Sequence, residues 1–238
     1  MGNLYSIGYS NKQIDEFINL LKKHNIHCII DVRSTPFSSQ FPDYNQNNLE
    51  KVLNNNGIYY RSYKDEFGAR RIEKEAYGEK KLYDDRDIDV VIFKNVYEFD
   101  IFKKGYRKIV DSLNQNFNMC FLCSEKYPYD CHRAIMVSEY FYSNGYMIAH
   151  IVDSNTIIMH NEIDSFLKEN FESARLKFNR LHNEELKELL YSGTLFGVDL
   201  VDSNLKYWDS FFKNYTREKG IYLRNLEIGY QKGNEAND

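Results

Sequence analysis

No stretch of this chain is apolar for long enough to cross a membrane. A spanning helix needs about 18 consecutive apolar residues, and no run comes close to that length. A membrane partner is therefore not expected. A strong charge of either sign is also missing: 31 Lys and Arg against 35 Asp and Glu leave a formal net charge of −4. That balance argues against the broad basic face of a duplex nucleic-acid binder, while leaving room for a local basic pocket. Proline is scarce, three in 238 residues, and no repeat or low-complexity linker interrupts the sequence. The C-terminal third is therefore expected to be a helical cap on the sheet domain rather than a free domain. Cysteine is limited to Cys28, Cys120, Cys123 and Cys131, and no secretory signal pattern is read at the start. A cytoplasmic location with reduced thiols is the expectation. Gly2 with Ser6 fits a myristoylation pattern, but Leu4–Gly8 reads as a first core strand and takes precedence.

What is present supports a sizeable core, with 42% hydrophobic and 16% aromatic residues in a length suited to one large α/β domain. Leu4–Ile7 reads as a strand, with a turn at Gly8–Ser10. Asn11 is a suitable N-cap for a helix over 12–24, where Ile14, Phe17, Ile18, Leu20 and Leu21 recur at helical spacing. The near-continuous apolar stretch "IHCIIDV" predicts a second strand covered on both faces. A helix over 46–55 and the strand "IYYRSY" follow. The segment "DEFGARRIEKEAYGEKKLYDDRD" is too polar for a core and reads as a long loop or excursion. A helix over 99–116, the strand "FNMCFLCSE", a helix over 130–144 and the strand "MIAHIV" complete the alternation. Strands alternating with helices mean a parallel sheet covered on both faces. Residues 1–160 are expected to form that domain. Residues 161–228 are expected to form a helical extension packed on it, with a route to a homodimer through these helices, and 229–238 a disordered tail.

Ligands of open parallel sheets bind beyond the carboxyl ends of the strands. The chemistry-bearing residues fall on that rim. Gly8 and Ser10 follow the first strand, Asp31 and Arg33 end the second, Arg70 and Arg71 lie downstream of the third, and Cys123 and Glu125 end the fourth. Cys131, His132 and Arg133 open the next helix, with Asp130 as its candidate cap. Cys131 in a first helical turn beside Arg133 would favour a thiolate. The alternative, a buried residue closing the turn, is the commoner fate of a free cysteine. Cys123, Cys131 and His132 could be three metal ligands, but adjacent Cys-His ligands after a seven-residue gap match no common zinc spacing. Neither a metal nor another cofactor is expected. Glu125 and Asp31 are the acid/base candidates. The arginines suit an anionic ligand, or salt bridges with those carboxylates. His150 reads as a core histidine.

"YSIGYSN", "DVRSTPFS", "FGARR", "CSEKYPYDCHR" and "HI" follow one another in this order. Together they resemble the domain of unknown function family number 488, in its longer members, over about residues 4–167. The resemblance carries Gly8, Ser10, Asp31, Arg33, Pro36, Gly68, Arg70, Arg71, Cys123, Glu125, Pro128, Cys131, His132 and Arg133 over as motif residues. Ala69 stands where the family often has a second glycine, and Phe41-Pro42 where it often has asparagine-proline. The shape of the ligand-facing loops is therefore not carried over. What the resemblance implies is a Rossmann-like three-layer sandwich, here with a mostly parallel five-stranded sheet and a helical C-terminal extension, and an enzyme site without a settled reaction.

The expected function is an enzyme acting by hydrolysis or group transfer on a small anionic molecule bearing phosphate or carboxylate, such as a nucleotide or nucleoside. Catalysis is assigned to Glu125, Asp31 and Cys131, and binding to Gly8, Ser10, Arg33, Arg70, Arg71, Cys123, His132 and Arg133. Arg33 and Arg133 are expected at the surface, with little packing duty. A nucleic-acid processing protein, with the 70–81 excursion as a basic flap, and a non-catalytic ligand-binding module are the alternatives.

Overall fold

The computed structural model describes residues 1–10, 12–81, 87–91, 93–128 and 131–163. These divide into two units, one of the described residues within 1–72 and 94–160, the other of 73–81, 87–91, 93 and 161–163. The first unit holds a sheet in the order β3-β2-β6-β1-β7-β8. Its strands are β1 (Leu4–Gly8), β2 (Cys28–Asp31), β3 (Tyr59–Ser62), β6 (Met119–Cys123), β7 (Ile148–Ile151) and β8 (Ile157–Met159). The first five named run parallel, and β8 pairs antiparallel with β7. The sheet thus has one strand more than the five expected. β8 is only three residues of a turn-rich segment and sits half-exposed at the edge, too short to leave a period-2 signal.

Alternation along β6 sorts the helices. Cys120 and Leu122 face a core with Ile7, Ile29 and Tyr60, covered by α1 (Ile14–Lys23) and α2 (Gln46–Asn55). Phe121 points the other way, into an aromatic cluster with Phe67 of α3 (Lys64–Phe67) and Phe141 of α6 (Glu139–Ser143). Phe102 of α5 (Asp100–Asn114) joins it through Phe67. β1, β2, β6 and β7 are buried on two sides, and that is why their residues read as near-continuous apolar runs. α1 begins two residues later than its expected start, with Gln13 at the cap position and Asn11 outside the described residues. At the start of the chain, a Cβ on Gly2 would come 2.0 Å from the Phe117 carbonyl oxygen, so β1 enters the sheet against that turn.

The 65–87 excursion needs correcting. Phe67 within it is fully buried. In the second unit, β4 (Tyr77–Lys81) pairs antiparallel with β5 (Asp87–Val91). The consecutive charges Glu79, Lys80 and Lys81 and the aspartates of the partner strand hide the strand signal. The expected helical extension and tail lie outside the described residues from 164 onward. Among the described residues, no helix is long and apolar enough to cross a membrane.

A polar seam runs through the first unit. Arg133 Nε donates to Ser6 Oγ (3.3 Å), Ser6 Oγ bonds His150 Nδ1 (2.6 Å), His150 Nε2 bonds His160 Nδ1 (2.9 Å), and His160 Nε2 reaches Glu139 Oε2 (2.9 Å). Guanidinium can only donate and carboxylate only accept. Ser6 Oγ therefore accepts from Arg133, and His160 Nε2 donates to Glu139. Burial, with His160 and Arg133 beside it, pushes His150 well below its ordinary value.

The sign of the pH dependence follows. An unfolded histidine takes up a proton below about pH 6.5, whereas folded His150 resists it. Its contribution is complete above that pH and is lost as the pH falls further. The melting midpoint is expected to drop between about pH 7.5 and pH 5. A His150→Gln variant should be less stable at the higher pH but decline less steeply, as read by thermal denaturation across buffers.

Candidate functional site

β1 and β6 are neighbours in the sheet, yet the chain leaves β1 toward α1 on one face and leaves β6 toward the helix carrying Phe141 on the other. Such a reversal opens a crevice at the carboxyl ends of the two strands. The two departing loops are tied by backbone bonds: Tyr9 N donates to the Cys123 carbonyl (3.1 Å) and Ser10 N to the Ser124 carbonyl (2.9 Å). Gly8 permits this closeness, because a Cβ there would sit 1.7 Å from the Glu125 carbonyl oxygen. Gly8 and Ser10 thus hold the rim together through backbone atoms.

The loop after β6 ends at Cys131, whose N–H donates to the Pro128 carbonyl (3.1 Å); Asp130, the expected cap, lies outside the described residues. From Arg133 to Ser138 the helix winds as a π-helix, a form common at functional sites. Ser138 Oγ caps the Arg133 carbonyl at 2.7 Å. These turns bring the motif side chains together. Cys131 Sγ donates to Glu125 Oε2 (2.9 Å), and Ser124 Oγ donates to Glu125 Oε1 (3.0 Å). Cys123 Sγ lies 3.8 Å from His132 Nδ1, and His132 Nε2 donates to the Val32 carbonyl (2.9 Å). Glu125 is half-buried at the mouth of the crevice, while both thiols and the imidazole are buried.

The protons of this cluster are shared. Burial alone would raise the Glu125 carboxyl, but hydrogen bonds from Cys123 and Cys131 outweigh it and hold it at about 2. Burial likewise opposes ionisation of Cys131, yet hydrogen bonding from Cys123 and the Arg133 charge pull that thiol down to about 6. Cys123 moves the opposite way, raised by burial and by its neighbour Cys131. His132 is raised despite burial, by its contact with Cys131. The result is an ionised carboxylate within reach of a thiol that gives up its proton readily.

On the α1/α2 side of the crevice stands a second cluster. Asp31, fully buried at the end of β2, takes Arg33 Nε on both oxygens (2.9 and 3.1 Å) and the Tyr60 hydroxyl on Oδ2 (2.7 Å). The Asp31 charge holds the Arg33 guanidinium above its ordinary value against the cost of burial. Arg33 also lies 5.2 Å from the Tyr9 ring centroid. Here the alternative weighed from sequence, a salt bridge within the motif, is what the bonds describe. The expectation that Arg33 and Arg133 are surface residues is corrected. Both are buried, Arg133 completely, with its Nη1 and Nη2 on the carbonyls of Glu125 (2.7 Å) and Lys126 (3.1 Å). A strand end covered by a helix start is interior, and linear position does not report that. Arg71 is buried too, with its guanidinium on the carbonyls of Asp65, Glu66 and Gly68 around the end of α3. Arg70 is exposed, and its N–H bonds Ser34 Oγ (2.9 Å).

Sequence reasoning missed Lys12, whose buried Nζ donates to the Gly8 carbonyl (3.0 Å). Burial lowers its pKa first; the Glu16 and Asp153 charges oppose that, and the Arg133 and Lys126 charges add to it. Tyr60 and Ser6 were missed as well, since nothing local marks a tyrosine or serine whose partner lies on another strand.

Fold and site together define an α/β protein with a thiol–carboxylate cluster at a strand-end crevice. The chain belongs to the family described as domain of unknown function DUF488, whose sequence model matches residues 13–140. That span holds Asp31, Arg33, Cys123, Glu125 and Cys131–Arg133, while Gly8 and Ser10 precede it. No curated protein and no solved structure matches the chain.

Two substitutions check the architecture of the crevice. Gly8→Ala should cost about 3 kcal/mol or more, because the obstruction is backbone and cannot swing aside. Arg133→Ala strands two carbonyls and Ser6 in the interior and should cost a similar amount, about 3 kcal/mol or more. Urea denaturation measures both, and near-wild-type midpoints would show that the loops close differently.

Proposed function

We propose that the protein is an enzyme acting on a small anionic molecule, phosphate- or carboxylate-bearing, at the carboxyl ends of β1 and β6. The supporting observation is a pair of buried cations whose hydrogen bonds go to backbone carbonyls. Lys12 and Arg133 donate to carbonyl oxygens at this crevice, and among the described residues no ion pair joins either to a carboxylate. The depressed pKa of Lys12 registers the cost of its burial and of its cationic neighbours. An anionic group entering the crevice would relieve that cost. Glu125 stands at the same mouth as an ionised carboxylate, and its role is to accept a proton from the substrate or from an attacking water. Cys131 orients it through the 2.9 Å contact. Hydrolysis or group transfer is the reaction class these groups serve, with nucleotides or nucleosides as the first substrates to test.

Lys12→Met separates binding from folding. Removing a buried, strained ammonium should leave the melting temperature unchanged or raised, while affinity for nucleoside monophosphates or inorganic phosphate falls about 10-fold or more. Glu125→Gln should keep that binding and lose turnover, followed by chromatography of the incubated nucleotides. If neither phosphate nor any nucleoside monophosphate shifts the melting temperature, and single-stranded oligonucleotide binds with strong salt dependence instead, the nucleic-acid alternative replaces the small-molecule one. Binding without turnover in the wild type would leave a ligand-binding module.

A further inference from the structure

The sulfur atoms of Cys123 and Cys131 and a ring nitrogen of His132 all lie within 4.8 Å of one another, and all three residues are buried. Along the chain their spacing suggests no metal site. In space they converge: Cys123 ends β6, and Cys131 and His132 return beside it. We propose that Cys123, Cys131 and His132 bind a single zinc-class divalent ion, with Glu125 beside its open coordination position.

Three observations carry the proposal. First, the donors are thiolate and imidazole, the set that suits zinc. A tetrahedral zinc with bonds of about 2.3 Å to sulfur and 2.0 Å to nitrogen keeps its donors about 3.6–3.8 Å apart. The observed separation of 3.8 Å between Cys123 Sγ and His132 Nδ1 is that of such an edge. The wider spacings close with an inward movement of about 1 Å or less, a side-chain adjustment. Second, the imidazole is already oriented. The Val32 carbonyl can only accept, so His132 Nε2 carries a hydrogen, and Nδ1 is the atom turned to the cysteines. Metal-binding histidines are held in this way, with the second ring nitrogen donating to a backbone carbonyl. Third, Glu125 Oε2 is 2.9 Å from Cys131 Sγ, so the carboxylate stands within reach of anything bound at that sulfur. Three protein donors with a neighbouring carboxylate is the composition of a catalytic rather than a closed structural zinc site. Loading the ion replaces thiol protons, which leave to solvent, and frees Glu125 from its bond to Cys131. Cys28 and Cys120 lie apart from the cluster on β2 and β6, buried and free.

The proposal rests on the function above only in assigning Glu125 a place next to the open position; the ion itself is measured without any anionic ligand. The full chain is stripped with chelator under reducing conditions and titrated with Co2+, then Zn2+. One ion per chain is expected, with the visible bands of tetrahedral cobalt and a thiolate-to-cobalt charge-transfer band, and zinc should displace it. X-ray absorption of the zinc form should fit two sulfur and one nitrogen donors. Cys123→Ser, Cys131→Ser and His132→Gln should each weaken binding about 100-fold or more, while Cys28→Ser and Cys120→Ser leave it unchanged. Circular dichroism separates lost ligands from lost fold, and the wild-type spectra decide the matter should the variants not fold. Absence of stoichiometric binding, octahedral oxygen-ligand spectra, or a Cys123–Cys131 disulfide in the protein as purified would each overturn the site. Lys12→Met keeps the ion in either case, so failure of the anion site and failure of the metal site give different results.

Discussion

The rest of the unit depends on one buried cation. Arg133 enters the interior at the start of the helix after β6 and spends its guanidinium on the carbonyls of Glu125 and Lys126 and the hydroxyl of Ser6. None of these partners carries a negative charge. Hydrogen bonding, with the Glu125 charge close by, makes the burial tolerable. The same bonds fold the loop after β6 back over the strand end and present Glu125, Cys123 and Cys131 to one another.

From that point two polar lines run outward. One passes through Ser6, His150 and His160 to Glu139, with a pure donor at one end and a pure acceptor at the other. It stitches β1, β7, the turn after β8 and α6 together, which explains why a three-residue edge strand is held at all. The other line is electrostatic. The Arg133 charge favours thiolate at Cys131 and opposes ammonium at Lys12. Stability and chemistry are thus set by one group, and a change at Arg133 cannot touch one alone.

Across the crevice, Asp31 and Arg33 neutralise each other with Tyr60 as third partner. His132 links the clusters through the carbonyl of Val32, the residue before Arg33. Two motifs 100 residues apart in the chain, "DVRS" and "CHR", share a bond because β2 and β6 are adjacent in the sheet.

The alternation of apolar strands with amphipathic helices was legible, because burial on two faces and on one face leave different periods. Phe17, Ile18, Leu20 and Leu21 show the helical one, and Cys28–Val32 the strand. The gathering of reactive residues at strand ends was legible too, since parallel topology puts all carboxyl ends on one rim. Linear order left unresolved which of those residues are spent on the protein itself. Arg33, Arg71 and Arg133 read as ligand-binding arginines and are buried against a carboxylate or against carbonyls. Lys12 read as the first residue of a helix and is instead a buried ammonium at the crevice. The short strand β8, the ribbon β4–β5 and the convergence of Cys123, Cys131 and His132 left no local signal either. Periodicity and strand-end position depend on neighbours in the chain, and the sequence by itself determined those. Hydrogen-bond partners, counter-charges and ligand geometry depend on which strands come to lie side by side, and only the tertiary structure decided them.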